Sequence, residues 1–144
     1  MARIKITLPE KFIYSTKIPI RIGDINRGGH LGHESFLVIM EEARERFLQS
    51  LGYLFGTGGV GFVMTDVAVM YLRQGSYGQI LEVRIGVSDI TAKGFDMVYQ
   101  VADAETGLEL ARAKTGVLFY DYSKKRTASI PPGLRGKLSG QEQF

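Results

Sequence analysis

His30 and His33 are the two histidines of this 144-residue chain, and Asp24 and Asn26 stand just ahead of them. An imidazole exchanges its proton near neutral pH, so His30 can serve as a general base or as a donor to a substrate. Asp24 can orient an imidazole or act as a base itself. Asn26 can position a water or donate to a developing oxyanion. The same residue types also build turns, because Asp and Asn side chains bond their own backbone, and spacing alone leaves both uses open.

What is missing narrows the chemistry further. With no Cys in the chain, disulfides, thiolate nucleophiles, Cys-ligated zinc and iron–sulfur clusters are excluded. Two histidines without a third argue against a zinc site built from imidazole, so no metal is expected. The glycine clusters around Gly28 and Gly58 lack the strand, spacing and Lys-Ser/Thr of a dinucleotide or phosphate loop, and no cofactor is indicated.

Lys and Arg number 18 against 15 Asp and Glu, and 44% of the residues are hydrophobic. That balance fits one folded domain rather than a disordered chain. No apolar run approaches the roughly 20 residues of a membrane-spanning helix. Met1-Ala2-Arg3-Ile4-Lys5 alternates charge without an apolar signal core, so the expectation is a cytoplasmic protein with no membrane partner. Lys124-Lys125-Arg126 is the one local basic cluster and reads as a solvated turn, not a nucleic-acid surface. The net charge of +3 also suits a phosphorylated ligand such as a coenzyme.

The elements that would position the polar group follow from periodicity. Ile18, Ile20 and Ile22 alternate within a predicted strand over 12–22, and Pro19 makes it an edge strand or a bulge. Residues 23–32 form a loop rich in glycine. Phe36, Leu37, Met40, Ala43, Phe47, Leu48 and Leu51 then recur at helical spacing, which predicts a helix over 34–51 ended by Gly52 at C′. Its first half, Phe36-Leu37-Val38-Ile39-Met40, is apolar all round and is expected to be buried on every side. Strands follow over 62–73, 80–91, 95–104 and 108–120, with a short one over 126–130. Lys93-Gly94 and Thr106-Gly107 suit tight hairpins in which glycine supplies positive φ. One domain is expected over 1–132, with a polar tail over 133–144 that makes one helical turn and is then disordered.

One long apolar helix and five or six antiparallel strands make an α+β domain, and a sheet curved around that helix is the natural way to bury both. Asp66 stands out in the apolar strand Phe62 to Met70. Strict alternation puts Met64, Asp66, Ala68 and Met70 on one face, where a carboxylate needs a partner.

The run Ile20-Arg21-Ile22-Gly23-Asp24-Ile25-Asn26-Arg27-Gly28-Gly29-His30-Leu31-Gly32-His33-Glu34-Ser35-Phe36, with Glu41-Glu42-Ala43-Arg44 beyond it, resembles the hotdog-fold acyl-CoA thioesterases of the 4-hydroxybenzoyl-CoA thioesterase-like kind. Tyr71-Leu72-Arg73 followed by Tyr77-Gly78 is similar to the family's second-strand ending. The resemblance spans about residues 12 to 121. It implies a hotdog fold, with a curved antiparallel sheet of five or six strands around one long central helix. It also implies hydrolysis of an acyl-CoA or acyl-carrier-protein thioester and sites built between subunits of a homodimer or homotetramer.

Carried onto this chain, the resemblance makes Asp24, Asn26 and His30 the candidate catalytic residues and Gly32, His33 and Asp66 the candidate substrate contacts. Amides near Gly32 to Ser35 would polarise the thioester carbonyl, and Glu41 is a weaker candidate base projecting toward a dimer interface. Two departures matter. The family's Asp-x-Asp is Asp24-Ile25-Asn26 here, and the Asn-Asn step into the helix is Gly32-His33. Enoyl-thioester hydratases of the same fold use a similar Asp-x-Asn-Pro-x-His motif, and a non-catalytic acyl-thioester-binding protein is the remaining alternative.

Overall fold

The structure is a computed structural model that describes residues 1–52 and 59–139. The glycine-rich connection at Gly56 and Gly58 and the end of the expected tail, 140–144, lie outside the described residues. The elements are β1 (Tyr14–Pro19), a 3-10 turn (Ile22–Asp24), α1 (His33–Ser50), β2 (Val60–Tyr71), β3 (Ile80–Ser88), β4 (Gly94–Asp103), β5 (Glu109–Asp121), β6 (Arg126–Thr127) and α2 (Pro132–Leu138). All pairings are antiparallel, in the order β1-β3-β4-β5-β2, with β6 added beside β5.

α1 packs along the sheet through Phe36, Ile39, Met40, Ala43, Phe47 and Leu48, a stripe at i, i+3, i+4, i+7 spacing. Near its C-terminal end the Phe47 ring lies 5.3 Å from Tyr14 of β1, and near its N-terminal end Phe36 lies 5.3 Å from Tyr71 of β2. Both edge strands therefore reach the helix, as a sheet curved around it requires. The helix ends where Gly52, at φ +78°, donates its N–H to Gln49, a conformation that costs glycine little.

Several expectations from the sequence need correction. β1 stops at Pro19, on the edge of the sheet, and Ile22 belongs to the 3-10 turn. The first half of α1 is not enclosed: Leu37 and Val38 are 38% and 52% exposed, because one chain's sheet covers only one side of the helix. Gly94 does not supply positive φ; Asp89, at φ 49°, turns that hairpin instead. Glycine is needed at 94 because a Cβ there would collide with the Val117 carbonyl of the neighbouring strand. The chain after 132 is not simply polar either. Pro132–Leu138 is a helix whose Leu134 and Leu138 join the core, with apolar residues four apart on one face.

The alternation through β2 is broken. A register shift between Met64 and Asp66 leaves Thr65 as an extra residue, so Met64 pairs with Val117 while Asp66 pairs with Gly116. A bulge of this kind takes Met64 off the face shared by Asp66, Ala68 and Met70.

Phe47 is fully buried between α1 and the sheet. Phe47→Ala is expected to lower unfolding stability by about 3–5 kcal/mol in a urea titration, through lost burial and the cavity left behind.

Candidate active site

The loop between β1 and α1 is shaped by side-chain bonds to its own backbone. The buried Asp24 carboxylate accepts the Arg21 N–H at 2.8 Å and lies 3.6 Å from the Arg21 guanidinium. Its main-chain carbonyl accepts the Gly32 N–H at 3.1 Å, so one residue ties the start of the loop to the residue that caps α1. Asn26 organises the tip: its Oδ1 accepts the N–H groups of Gly28 at 3.0 Å and His30 at 3.3 Å. With that oxygen engaged, the Asn26 amide NH2 remains the group able to donate outward.

α1 begins without a side-chain cap, since Gly32 holds the N-cap position. Ser35 and Phe36 donate to the Gly32 carbonyl at 3.0 and 3.2 Å, whereas the N–H groups of His33 and Glu34 have no backbone acceptor among the described residues. Such a terminus presents donors and the positive end of the helix dipole.

These groups border a cavity of about 450 Å³ lined by Asn26, His30, His33, Phe36, Tyr71 and Arg73, among others. The Tyr71 hydroxyl donates to the His33 carbonyl at 2.9 Å. Burial, and then the negative charge of Glu34, push the Tyr71 pKa upward, which keeps this hydroxyl a donor. Glu34 itself lies 3.3 Å from the His33 imidazole. Arg73 donates to the Glu109 carbonyl at 2.8 Å and adds an exposed cation to the lining.

Of the residues singled out from sequence, Asn26, His30 and His33 come together around this cavity. Gly32, between His30 and His33 in the chain, donates its N–H to the Asp24 carbonyl, and the Asp24 carboxylate turns into the loop's own hydrogen bonds instead of lining the cavity. Asp66 is elsewhere, in a groove between α1 and β2. It accepts from Lys114 at 2.8 Å and from the Gly116 N–H at 3.0 Å, while Lys114 also lies 3.3 Å from Asp96. The Lys114 bond chiefly holds the Asp66 pKa below its usual value, and the same bond raises that of Lys114. Tyr71 and Arg73 entered the sequence reading as a strand ending; their place in the site depends on β2 lying beside the start of α1.

A long helix held by an antiparallel sheet, with a polar loop pinned to the helix start, defines a hotdog-type domain. Residues 20–138 match the family model of the thioesterase-like superfamily, and the chain belongs to that superfamily. Solved structures of the same fold include a 1,4-dihydroxy-2-naphthoyl-CoA thioesterase from Synechocystis, 19% identical, with a TM-score of 0.81 over 88% of this chain and 95% of that one. A predicted thioesterase from Bacillus stearothermophilus is 21% identical, with a TM-score of 0.79 over 91% of this chain and 98% of that one. A Staphylococcus aureus protein solved in complex with CoA is 13% identical, with a TM-score of 0.84 over 97% of this chain and 90% of that one. These three are likenesses of fold. No curated protein matches the chain in sequence.

Asp24→Ala removes the acceptor for Arg21 and is expected to cost about 1–2 kcal/mol of stability, read as a lowered thermal midpoint. Asp24→Asn, which retains an acceptor oxygen, should recover most of that loss.

Proposed function

We propose that the protein hydrolyses an acyl-CoA or acyl-carrier-protein thioester to a free acid and a thiol. The observation that carries this reading is the uncapped start of α1 opening beside a cavity that also receives Asn26 and His30. In the proposed reaction the thioester carbonyl oxygen accepts from the free amides of His33 and Glu34, with the Asn26 NH2 as a further donor. His30 takes a proton from water as the water oxygen bonds to the carbonyl carbon. The tetrahedral intermediate then expels the thiolate, which takes its proton from the His30 imidazolium. Asp24 acts as a positioning residue that holds the loop, and Arg73 is suited to a phosphate of the CoA moiety. Membership of the thioesterase-like superfamily and the CoA bound to the Staphylococcus aureus protein of the same fold support this substrate class. Hydration of an enoyl thioester is less well supported, because the carboxylate its motif requires, Asp24, is occupied by Arg21.

The site is proposed to be completed by a second copy of the chain. β2 is an edge strand, and it leaves Met64 and Val67 39% and 54% exposed beside the exposed Leu37 of α1. An unpaired apolar edge is a template for another strand, and a homodimer through β2, or a tetramer built from such dimers, would cover it. Asp66 would then lie at or near the interface.

The imidazole of His30 takes no part in the loop's hydrogen bonds, which use its backbone. His30→Ala and the double variant Asn26→Ala/His30→Ala are therefore expected to keep the fold by circular dichroism while thiol release from acyl-CoAs falls by about 10²–10⁴-fold. Unchanged turnover in the double variant would remove both residues from the mechanism. Val67→Asp is expected to give a monomer by light scattering at micromolar concentration and to lose activity; a wild-type monomer that turns over substrate would overturn the two-copy site.

A further inference from the structure

Lys93, Lys124, Lys125 and Arg126 are all exposed, and no ion pair joins any of them to a carboxylate among the described residues. By contrast, Arg84, Arg112 and Lys114 of the sheet each have a carboxylate partner. The fold gathers the four unpaired cations at one end of the sheet. Asp121 closes the turn after β5 by accepting the N–H groups of Ser123 and Lys124 at 2.9 and 3.0 Å, and β6 then returns beside β5. Lys93, from the β3–β4 turn, donates to Thr127 of β6 at 2.7 Å and so joins the three cations of the β5–β6 turn. A groove of about 590 Å³ lies among these residues, and the carboxylate in its lining, Asp121, is the one engaged by the turn. Like charges held this close set up a field that attracts an anionic surface. The groove's lining is polar apart from Ala128, with no aromatic ring to receive a nucleobase. Exposed charges spread over two neighbouring turns fit instead the face of an acidic protein.

Within one chain this surface is too far from the loop cavity to serve it. Asp121 pairs with Val60 at the start of β2, whereas Tyr71 at the strand's end lines the cavity, and the strand between them runs about 36 Å at about 3.3 Å per residue. A phosphopantetheine arm is much shorter. Its roughly 13 bonds from sulfur to phosphorus span about 15 Å, since three bonds of an extended chain advance about 3.5 Å. In the two-copy site, a two-fold axis pairs β2 antiparallel with the β2 of the second copy. The Val60 end of one copy then lies beside the Tyr71 end of the other, and the turn after β5 stands two strand spacings away, about 10 Å. The cations of one copy thus come within an arm's length of the cavity of the other.

Resting on the thioesterase reading and its two-copy site, we propose that Lys93, Lys124, Lys125 and Arg126 form the docking surface for an acidic carrier protein. The carrier delivers its acyl group on a phosphopantetheine arm to the loop cavity of the other copy. Carrier-bound thioesters are therefore preferred over the corresponding acyl-CoAs.

The test compares the wild type with the charge reversal Lys124→Glu/Arg126→Glu on octanoyl and benzoyl thioesters of an acidic bacterial acyl carrier protein and of CoA. The variant should lose about tenfold or more in kcat/KM with the carrier-bound thioesters and change less than about twofold with the acyl-CoAs. Wild-type turnover of the carrier-bound thioesters should fall as salt is raised. No loss on the carrier-bound thioesters would overturn the docking surface, and equal losses on both substrates would give the cations to the phosphates of CoA and overturn the carrier. Calorimetry with the holo carrier protein reads docking without turnover. Binding that the charge reversal abolishes, with no thiol release from any substrate, would sink the hydrolase reading and keep the docking surface. Cleavage of acyl-CoA with no carrier binding would do the reverse. Delivery between copies is tested by coexpressing the charge-reversed chain with the Asn26→Ala/His30→Ala chain. A mixed dimer holds one site with an intact cavity and an intact opposite surface, so carrier turnover should recover to about a quarter of the wild-type value. No recovery in mixed dimers would overturn the delivery from one copy to the other.

Discussion

The apolar stripe of α1 from Phe36 to Phe47 can leave water only if the sheet bends far enough for both edges to touch the same helix. The contacts of Tyr14 with Phe47 and of Tyr71 with Phe36 show that it does. Burial of large aromatic and aliphatic side chains dominates the favourable energy of a domain this size. That constraint sets the strand order, because β1 and β2 must lie at opposite edges, and it brings the β1–α1 loop beside the end of β2.

A sheet that encloses one side of a helix leaves the other side open. Leu37 and Val38 on α1, with Met64 and Val67 on β2, remain exposed for this reason. The loop cavity and the α1–β2 groove both lie along that incomplete boundary. The fold thus places the polar donors of the loop cavity and a largely apolar groove side by side along α1 and β2.

Much of this was legible beforehand. The 3.6-residue period of α1, the role of Gly52 at its end and the edge placement of the Pro19 strand are local consequences of side-chain shape and missing N–H groups, so they could be read without coordinates. The bulge between Met64 and Asp66 could not. Period-two alternation assumes an unbroken register, and whether Asp66 shares a face with Met64 depends on where Gly116 of β5 meets it. A Cβ on Gly116 would meet the Thr65 hydroxyl and the Asp66 carboxylate, so the irregularity is supported from the neighbouring strand. The helical turn expected after 132 has a similar limit. Leu134 and Leu138 are two apolar residues in a polar stretch, and only the core behind them makes them a buried face.

By itself the sequence determined the one long helix, the antiparallel strands, the polar loop carrying Asn26, His30 and His33, and the absence of any thiol. These depend on residue type and local spacing. Tertiary structure alone decided that Tyr71 would close the site from β2, and that Arg44 would reach the Tyr99 hydroxyl through Nη1 while its Nε is left without an acceptor. Each of those is a question of direction and distance between segments far apart in the chain, set by how the sheet closes on α1, and no local pattern of residues encodes it.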